Sequence, residues 1–273
     1  MDLNPQHRQM ADESMVRTLS AQARAIWPQE LPLIRRYALP AAPAILDAGC
    51  GTGEASRRLA EAFPRATVLG VDILDHHLER ARSLSTHVGD RLRFEHRTLF
   101  GLGVPDASFD LVVCRHVLQS IPHAERAIAE LVRVTRPGGW VHLIPEDYGL
   151  IQMPRRELDP LRMWPAVAAR FGAAVGTDMF IGRRAPAILH ALGLDDISVD
   201  LVLVDTLRVP RDTFAEIWEA WRDGFSDAIA EHAEVPLAEV IANFDDQIAA
   251  IRDPAEYASW IVPVVAGRRP DDV

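Results

Sequence analysis

Short apolar runs alternate with stretches of helical period through the middle of the chain. Strand-like length and composition mark the runs AILDAG, ATVLGVDI, LRFEHRTLF, FDLVVCRHV and WVHLIPE. Helical spacing marks EASRRLAEAF, LDHHLERARSLS and HAERAIAELVRVT. In the last of these, Ile128, Leu131, Val132 and Thr135 share one face. Strands that alternate with amphipathic helices predict a doubly wound α/β domain around a mostly parallel sheet covered on both faces.

Helical patterns also precede and follow this alternating region. Residues 5–38 carry apolar positions at helical spacing, and ALPAAPA then breaks the pattern. Residues 155–194 are predicted as mainly helical, a strand follows in ISVDLVLVDTLRV, and residues 210–254 are again helical before a last strand, ASWIVPVVAG. Such segments can roof the carboxyl ends of the strands, where ligands bind in open α/β sheets. The predicted parts are a helical cap over 1–40 and a main domain over 41–273, with helical lid insertions at about 150–192 and 210–254.

Composition and charge narrow the range of partners. The 273 residues are 48% hydrophobic and 25% charged, as in an ordinary globular protein. A formal net charge of −10 with scattered arginine pairs argues against a nucleic-acid partner. The two cysteines are too few for a disulfide scaffold, the N-terminus is too polar for a signal peptide, and no apolar run approaches the roughly 20 residues that span a bilayer. We therefore expect no membrane partner and a cytoplasmic location.

The first strand-to-helix turn is unusually rich in glycine. Gly49, Gly51 and Gly53 follow Asp47 at alternate positions, and a helix begins at once. Residues without a Cβ allow positive φ and close approach of another molecule, so the turn predicts a site for a nucleotide-like ligand. The dinucleotide pattern G-x-G-x-x-G is not matched, and the carboxylate of Glu54 would repel a pyrophosphate.

Asp72 ends the second predicted strand, roughly 20 residues beyond this turn. A carboxylate in that place accepts hydrogen bonds from both ribose hydroxyls. The ligand is therefore predicted to have a ribose and no diphosphate. An NAD-dependent oxidoreductase on the same kind of sheet is the alternative, disfavoured by the glycine spacing and by Glu54.

Four motifs in order then resemble one family. DAGCGTG resembles the first motif, D/E-x-G-x-G-x-G, of the class I S-adenosylmethionine-dependent methyltransferases, and Asp72 falls where that family has its ribose-binding acid. PDASFD and RPGG resemble its fourth- and fifth-strand region, so that the resemblance covers residues 41–146. It implies a Rossmann-like, seven-stranded, mostly parallel sheet with the last strand antiparallel. It also implies S-adenosyl-L-methionine as cofactor and S-adenosyl-L-homocysteine as product.

The resemblance also implies the cofactor contacts. The three glycines line the methionine part of the cofactor with Asp47 beside them, and Ile73 flanks the adenine. Where the family has a Gly-Asp pair after the third strand, this chain has Arg97-Thr98. The adenine contact therefore falls to the Thr98 hydroxyl or to main-chain groups, with the next residue packed on the ring. The cofactor-binding residues implied in this way are Asp47, Gly49, Gly51, Gly53, Asp72, Ile73, Thr98, Leu99 and Arg115.

Candidate catalytic residues follow the fourth and fifth strands. His116 lies where the family meets the methyl group, and an imidazole there can take a proton from a hydroxyl or an amine. The alternative is a core histidine bonded to main chain. Glu146 and Tyr148 can orient or deprotonate a nucleophile, or bind a cation, unless they only shape a turn. The predicted catalytic set is His116, Glu146 and Tyr148, with no convincing set of metal ligands.

The predicted function is methyl transfer from S-adenosylmethionine to an O or N atom of a small-molecule metabolite or natural-product intermediate. A homodimer is possible. A non-catalytic partner protein is disfavoured, because a dead site does not need the glycines and Asp72, while a protein substrate stays open. The roof aromatics are predicted as core, although a pocket for an aromatic substrate would draw on such residues; they are Trp27, Trp164, Phe180, Trp218 and Trp221. Arg183 and Arg184 are candidates to bind a carboxylate unless they form a solvated face. His76 and His77 are predicted on a surface helix without a functional role.

Overall fold

The apolar runs of the sequence form one mixed sheet in the computed structural model, which describes residues 3–271. Eight strands take part. Most are short and buried, as the sequence pattern predicts. Their bounds are β1 Ala44–Ala48, β2 Thr67–Asp72, β3 Leu92–His96, β4 Phe109–Arg115, β5 Thr135–Ile144, β6 Ile151–Gln152, β7 Asp195–Asp205 and β8 Ser259–Arg268.

The strand order is β3-β2-β1-β4-β5-β8, with β7 along the outer side of β8 and the two-residue β6 beside the beginning of β8. Strands β1 to β5 run parallel, and β8 runs antiparallel to β5. The predicted mostly parallel sheet with an antiparallel last strand is therefore confirmed, with β6 as an addition. The order reverses at β1, which lies between β2 and β4, and such a switch point is where open α/β sheets bind ligands.

Helices cover the sheet and roof its carboxyl edge. In α5, the residues predicted to share one face, Ile128 and Leu131 among them, are buried against the sheet. The helix bounds are α1 His7–Met10, α2 Glu13–Ile34, α3 Glu54–Ala62, α4 Asp75–Leu84, α5 Ala124–Val134, α6 Ala166–Val175, α7 Ala185–Ala191, α8 Arg211–Ala233 and α9 Leu237–Arg252.

The N-terminal helix and the late helices share a hydrophobic core. Ile26 of α2 belongs to the same buried cluster as Phe171 of α6, Trp218 of α8 and Phe244 of α9. The roof is therefore built from both ends of the chain. The division into a cap over 1–40 and a domain over 41–273 stays a prediction, and residues 1, 2, 272 and 273 of these parts lie outside the described residues.

The helical prediction for residues 155–194 is met in short pieces, by α6, α7 and the 3₁₀ turns Pro160–Arg162 and Ile181–Arg183. One local prediction was wrong. The predicted RPGG turn lies within β5, where the pairing with β4 is irregular between Phe109 and Leu111. Gly138 takes φ +75° there, and its N–H donates to the Arg269 carbonyl at 2.9 Å, so the chain bends while the strand continues.

Candidate active site

A large cavity lies between the carboxyl edge of the sheet and the helical roof. Its empty space is about 1460 Å³ with its open mouth included. The cavity wall contains both the glycine turn and the aromatic side chains of the roof.

The glycine turn needs its glycines for two reasons. Gly49 and Gly51 have φ of +77° and +52°, which residues with a Cβ seldom adopt. A Cβ on Gly49 would lie 2.4 Å from Val117, and one on Gly51 would lie 2.7 Å from Leu19 of the N-terminal helix. Helix α2 therefore lies directly over the turn. Both glycines line the cavity, whereas Gly53 begins α3 and faces Phe94 of the sheet.

Asp72 lies at the end of β2, on the cavity wall, as predicted. Its two carboxylate oxygens accept the Gly51 N–H at 2.8 Å and the Leu74 N–H at 3.0 Å. Each oxygen keeps further acceptor capacity, so the carboxylate can also accept two hydroxyl donors. The two backbone bonds fix its orientation and tie it to the glycine turn.

Asp47 lies behind this wall. It is 1% exposed, and the Ser56 hydroxyl donates to its Oδ2 at 2.5 Å. Burial raises its pKa to about 6, against the opposing effects of the Ser56 bond and of Arg115. Its position supports a role in holding β1 to α3 beneath the turn. Direct contact with a cofactor stays a prediction.

The residues predicted at the adenine end lie on the same wall. Ile73, Thr98 and Leu99 all line the cavity, and the Thr98 hydroxyl accepts the Phe100 N–H at 3.3 Å. That leaves the hydroxyl hydrogen of Thr98 available as a donor. The guanidinium of Arg97 donates to Glu95 and to the Leu102 carbonyl, which occupies its nitrogens.

Arg115 belongs to a buried polar network between α2 and the sheet. Its Nη2 lies 2.8 Å from Oε2 of Glu30, which is 0% exposed. His142 Nε2 lies 3.2 Å from the other Glu30 oxygen, and the Tyr37 hydroxyl lies 2.7 Å from His142 Nδ1. Burial alone would raise the pKa of Glu30, but Arg115 and His142 outweigh it and lower the pKa to about 2. Arg115 lines the cavity beside the glycine turn with its charge already paired.

His116 and Glu146 form a buried pair at the ends of β4 and β5. His116 Nδ1 is hydrogen-bonded to Glu146 Oε1, and the side chains are 7% and 1% exposed. His116 Nε2 is buried without a hydrogen-bond partner, and both residues line the cavity. A carboxylate that accepts Nδ1–H leaves Nε2 as the basic nitrogen, which is the arrangement of a general base with its orienting acid. The backbone of His116 has φ +55°, held by its N–H bond to the Ile144 carbonyl at 2.9 Å.

Tyr148 continues the wall beyond Glu146. Burial raises the pKa of its phenol well above the ordinary value, and the Glu146 carboxylate adds to this, so Tyr148 is a hydrogen-bond donor at any working pH. Asp147 turns away and accepts two hydrogen bonds from Arg183, at 2.6 and 2.7 Å. Arg183 is thereby paired with the chain's own carboxylate.

The sequence analysis missed several cavity residues. His77 was placed on a surface helix, but it is 3% exposed, and its Nε2 has no hydrogen-bond partner. Burial lowers its pKa, against the attraction of Asp72. Gln6 is 2% exposed with an unpartnered side-chain nitrogen, and Gln119 donates to the His116 carbonyl at 2.8 Å. The helical period of α4 was the available signal for His77, since it lies four positions before Ala81 of the buried face.

Trp164 and Trp221 line the cavity as well as belonging to the roof core, which the core interpretation alone did not predict. Within residues 3–271, no three His, Cys, Asp or Glu side chains come together as a metal site requires. None of the helices in that part of the chain is both long enough and apolar enough to cross a membrane.

A family model described as "Methyltransferase domain" matches residues 46–143. The 27-O-demethylrifamycin SV methyltransferase of Amycolatopsis mediterranei is 30% identical over 236 residues, which is 85% of this chain and 79% of that protein. The S-adenosyl-L-methionine-dependent Diels-Alderase iccD of Talaromyces variabilis is 30% identical over 254 residues, 88% of this chain and 80% of that protein.

A solved structure of phosphoethanolamine N-methyltransferase 2 from Haemonchus contortus, in complex with S-adenosyl-L-methionine, has the same fold. Its TM-score is 0.57 at 20% identity, covering 90% of this chain and 53% of that one. These findings give no support to the NAD-dependent oxidoreductase alternative.

Proposed function

The chain belongs to the family of S-adenosylmethionine-dependent methyltransferases, and on that premise we propose that it methylates a hydroxyl oxygen of a small molecule, with His116 as the general base. The observation that carries this proposal is the buried His116–Glu146 pair, in which both residues line the cavity and His116 Nε2 has no hydrogen-bond partner. A neutral amine needs less general-base assistance, and an acidic carbon needs a different base. A hydroxyl that arrives protonated needs a proton acceptor beside it.

The residues present fit the cofactor of this family. Gly49 and Gly51 line the cavity wall, and Asp72 beside them has free acceptor capacity for two hydroxyls. We assign the methionine part to the turn and Arg115, the ribose to Asp72, and the adenine to Ile73, Thr98 and Leu99. When bound, S-adenosyl-L-methionine supplies an activated methyl group on a good leaving group, so the chain has to supply alignment, a dry site and a proton acceptor.

His116 accepts the proton of the acceptor hydroxyl at Nε2. Glu146 holds Nδ1–H, keeps the imidazole in the required tautomer, and stabilises the imidazolium that forms. The Tyr148 phenol stays protonated and can donate to the acceptor oxygen from the same wall. The roof excludes water around His116 and Glu146, and this strengthens the attraction between the imidazolium and the carboxylate.

Two variants test the assignment. His116→Gln keeps a polar side chain but removes the base, and we expect kcat towards a panel of phenols and alcohols to fall by roughly 10²–10⁴-fold. Glu146→Gln should lower kcat less, because Nε2 remains. Calorimetry should give both variants the wild-type affinity for S-adenosylhomocysteine, while Asp72→Ala should lose that affinity. Full activity of His116→Gln on every hydroxyl substrate would falsify the role of the base.

One relative suggests a second candidate function. The similarity to a cofactor-dependent Diels-Alderase covers 80% of that protein, so an intramolecular cyclisation is the competing reaction. Mass spectrometry separates the two, since methyl transfer adds a methyl group to the product and cyclisation leaves the mass unchanged. A cytoplasmic location and a homodimer are further parts of the proposal.

A further inference from the structure

The acceptor half of the cavity is lined with aromatic rings that pack on one another. Tyr148 stacks on Trp164 with a centroid distance of 5.3 Å and an angle of 17°, and Trp221 meets Trp164 edge-on at 6.4 Å. The Trp164 indole N–H donates to Gln247 at 2.9 Å, which fixes the ring. Further apolar side chains of the cavity wall are Val167, Phe171, Met179, Phe225, Ile229 and Phe244.

The apolar wall and the proposed base line the same cavity. Trp260 connects them from behind the wall: it is 0% exposed, and its ring lies 5.9 Å from the His116 ring and 5.3 Å from Trp221. Tyr148 is close enough to Glu146 for the carboxylate to raise its pKa, and it stacks on the roof. A molecule seated against the rings of the wall therefore occupies the cavity that His116 also lines.

The positive charges of the wall have counter-charges within the chain. Among the described residues that line the cavity, the arginines are Arg97 and Arg115, and Arg97 is bonded to Glu95. Arg115 forms an ion pair with the buried Glu30, and its Nε and Nη2, which have no hydrogen-bond partner, belong to the cofactor half assigned above. His77, whose pKa burial lowers, lies beside Asp72 at the cofactor half. A carboxylate or phosphate on the acceptor would be taken out of water without a counter-charge, which is costly.

A cationic acceptor is equally unsupported. Of the carboxylates on the described wall, Asp72 holds two backbone N–H groups at the cofactor half, and Glu146 is bonded to His116. The face that Tyr148 turns to Trp164 is covered by stacking, so this pair does not form an open cage for an ammonium group.

Resting on the proposed function, we propose that the acceptor is an uncharged, ring-containing, apolar molecule that carries a hydroxyl, held by the aromatic wall of α6, α8 and α9. Neither an acidic nor a cationic small molecule fits this half of the cavity. Ring stacking and burial then supply the affinity, and the hydroxyl alone supplies the polar contact.

Three probes with one ring system test the charge preference. We would titrate the protein, saturated with S-adenosylhomocysteine, with 2-naphthol, 2-naphthoate and (2-naphthylmethyl)trimethylammonium in a calorimeter. We expect the dissociation constant of 2-naphthol to be at least tenfold lower than those of both ions. Equal or tighter binding of either ion would overturn the proposal, as would no binding of any probe.

A charge placed in the wall should reverse the preference. Phe225 lines the cavity and is half-buried, so Phe225→Arg is expected to weaken 2-naphthol binding and to strengthen 2-naphthoate binding. Leu207→Arg is the matched control, since Leu207 is 78% exposed and away from the cavity, and it should leave the ranking unchanged. If Phe225→Arg does not fold, Phe225→Leu should weaken 2-naphthol several-fold without reordering the three probes; an unchanged affinity would count against the aromatic wall.

The two proposals fail separately. If 2-naphthol binds tightly but either no methylated product forms or His116→Gln loses no activity, the proposed acceptor class stands and the role of His116 as base is excluded. Rapid methylation of acidic or cationic molecules would leave methyl transfer standing and remove the acceptor class.

Discussion

His116 occupies a backbone conformation that a non-glycine residue seldom adopts. Its φ of +55° costs about 1–3 kcal/mol, and such strain concentrates at functional positions. The bond from its N–H to the Ile144 carbonyl and the bond from Gln119 to its own carbonyl hold it there. The strained turn is what brings the imidazole back over the end of β5 and against Glu146.

Asp47 gives a residue-scale prediction about pH. Burial raises its pKa from the ordinary 3.8 to about 6, so the folded chain binds this proton more tightly than the unfolded chain does. The contribution of protonated Asp47 to the free energy of unfolding is therefore fully present below about pH 4 and is lost as the pH rises through 6. Asp47→Asn keeps an acceptor for Ser56, and we expect it to raise the free energy of unfolding at pH 8 by up to about 2–3 kcal/mol.

Urea unfolding at pH 4 and pH 8 measures this effect. The gain from Asp47→Asn should be largest at pH 8 and absent at pH 4. Asp90→Asn is the control, because Asp90 is exposed, and it should change neither value. A loss of stability at pH 8 would mean that the ionised carboxylate is needed in the fold.

At the scale of elements, α2 is fastened to the sheet by a buried ion pair. Glu30→Gln would leave Arg115 charged and buried without its partner, which typically costs 3–5 kcal/mol. Glu216→Gln breaks a surface pair between Arg24 of α2 and α8, and such pairs contribute about 0–1 kcal/mol. We expect Glu30→Gln, and not Glu216→Gln, to lower both the melting temperature and the affinity for S-adenosylhomocysteine. Equal effects of the two variants would contradict a special role for the buried pair.

The elements differ in how far the sequence could predict them. The strands β1 to β5 and helix α5 follow from local periodicity, because each buries a simple repeating face. The break of the segment 155–194 into short pieces does not, because Phe171 packs with distant residues of α8 and α9 whereas Ile181 and Leu189 pack with the sheet and α5. Local pattern therefore predicts the sheet and leaves the roof to tertiary packing.

The site shows the same division. His116 and Glu146 were predictable as neighbours of the cavity because the carboxyl ends of parallel strands lie along one edge. Their hydrogen bond depends on the strained turn and was not predictable. The pairing of Glu30 with Arg115 was missed: Glu30 shares the buried face of α2 with Ile26 and Ile34, but the sequence does not state which residue of the sheet faces it.

For the whole molecule, the cavity joins the sheet to both ends of the chain, so ligand binding should stabilise all of it. S-adenosylhomocysteine at 100 times its dissociation constant should add about 2.7 kcal/mol to the free energy of unfolding. Hydrogen exchange should slow in the first half of α2, where Met15, Thr18, Leu19 and Gln22 line the cavity. Helix α5, on the far side of the sheet, should change little. Uniform protection of both helices would argue against a ligand seated under α2.

The ion pair between Glu30 and Arg115 also limits how the chain can be shortened. A fragment cut to residues 46–143, the range that the family model matches, would retain the glycine turn, Asp72 and His116. It would lack Glu30, Glu146 and the apolar face of α2, so the Arg115 guanidinium would have no counter-charge and the cavity would have no roof on that side. Any minimal version intended for engineering has to begin before Asp12, the residue whose carboxylate starts the cap helix.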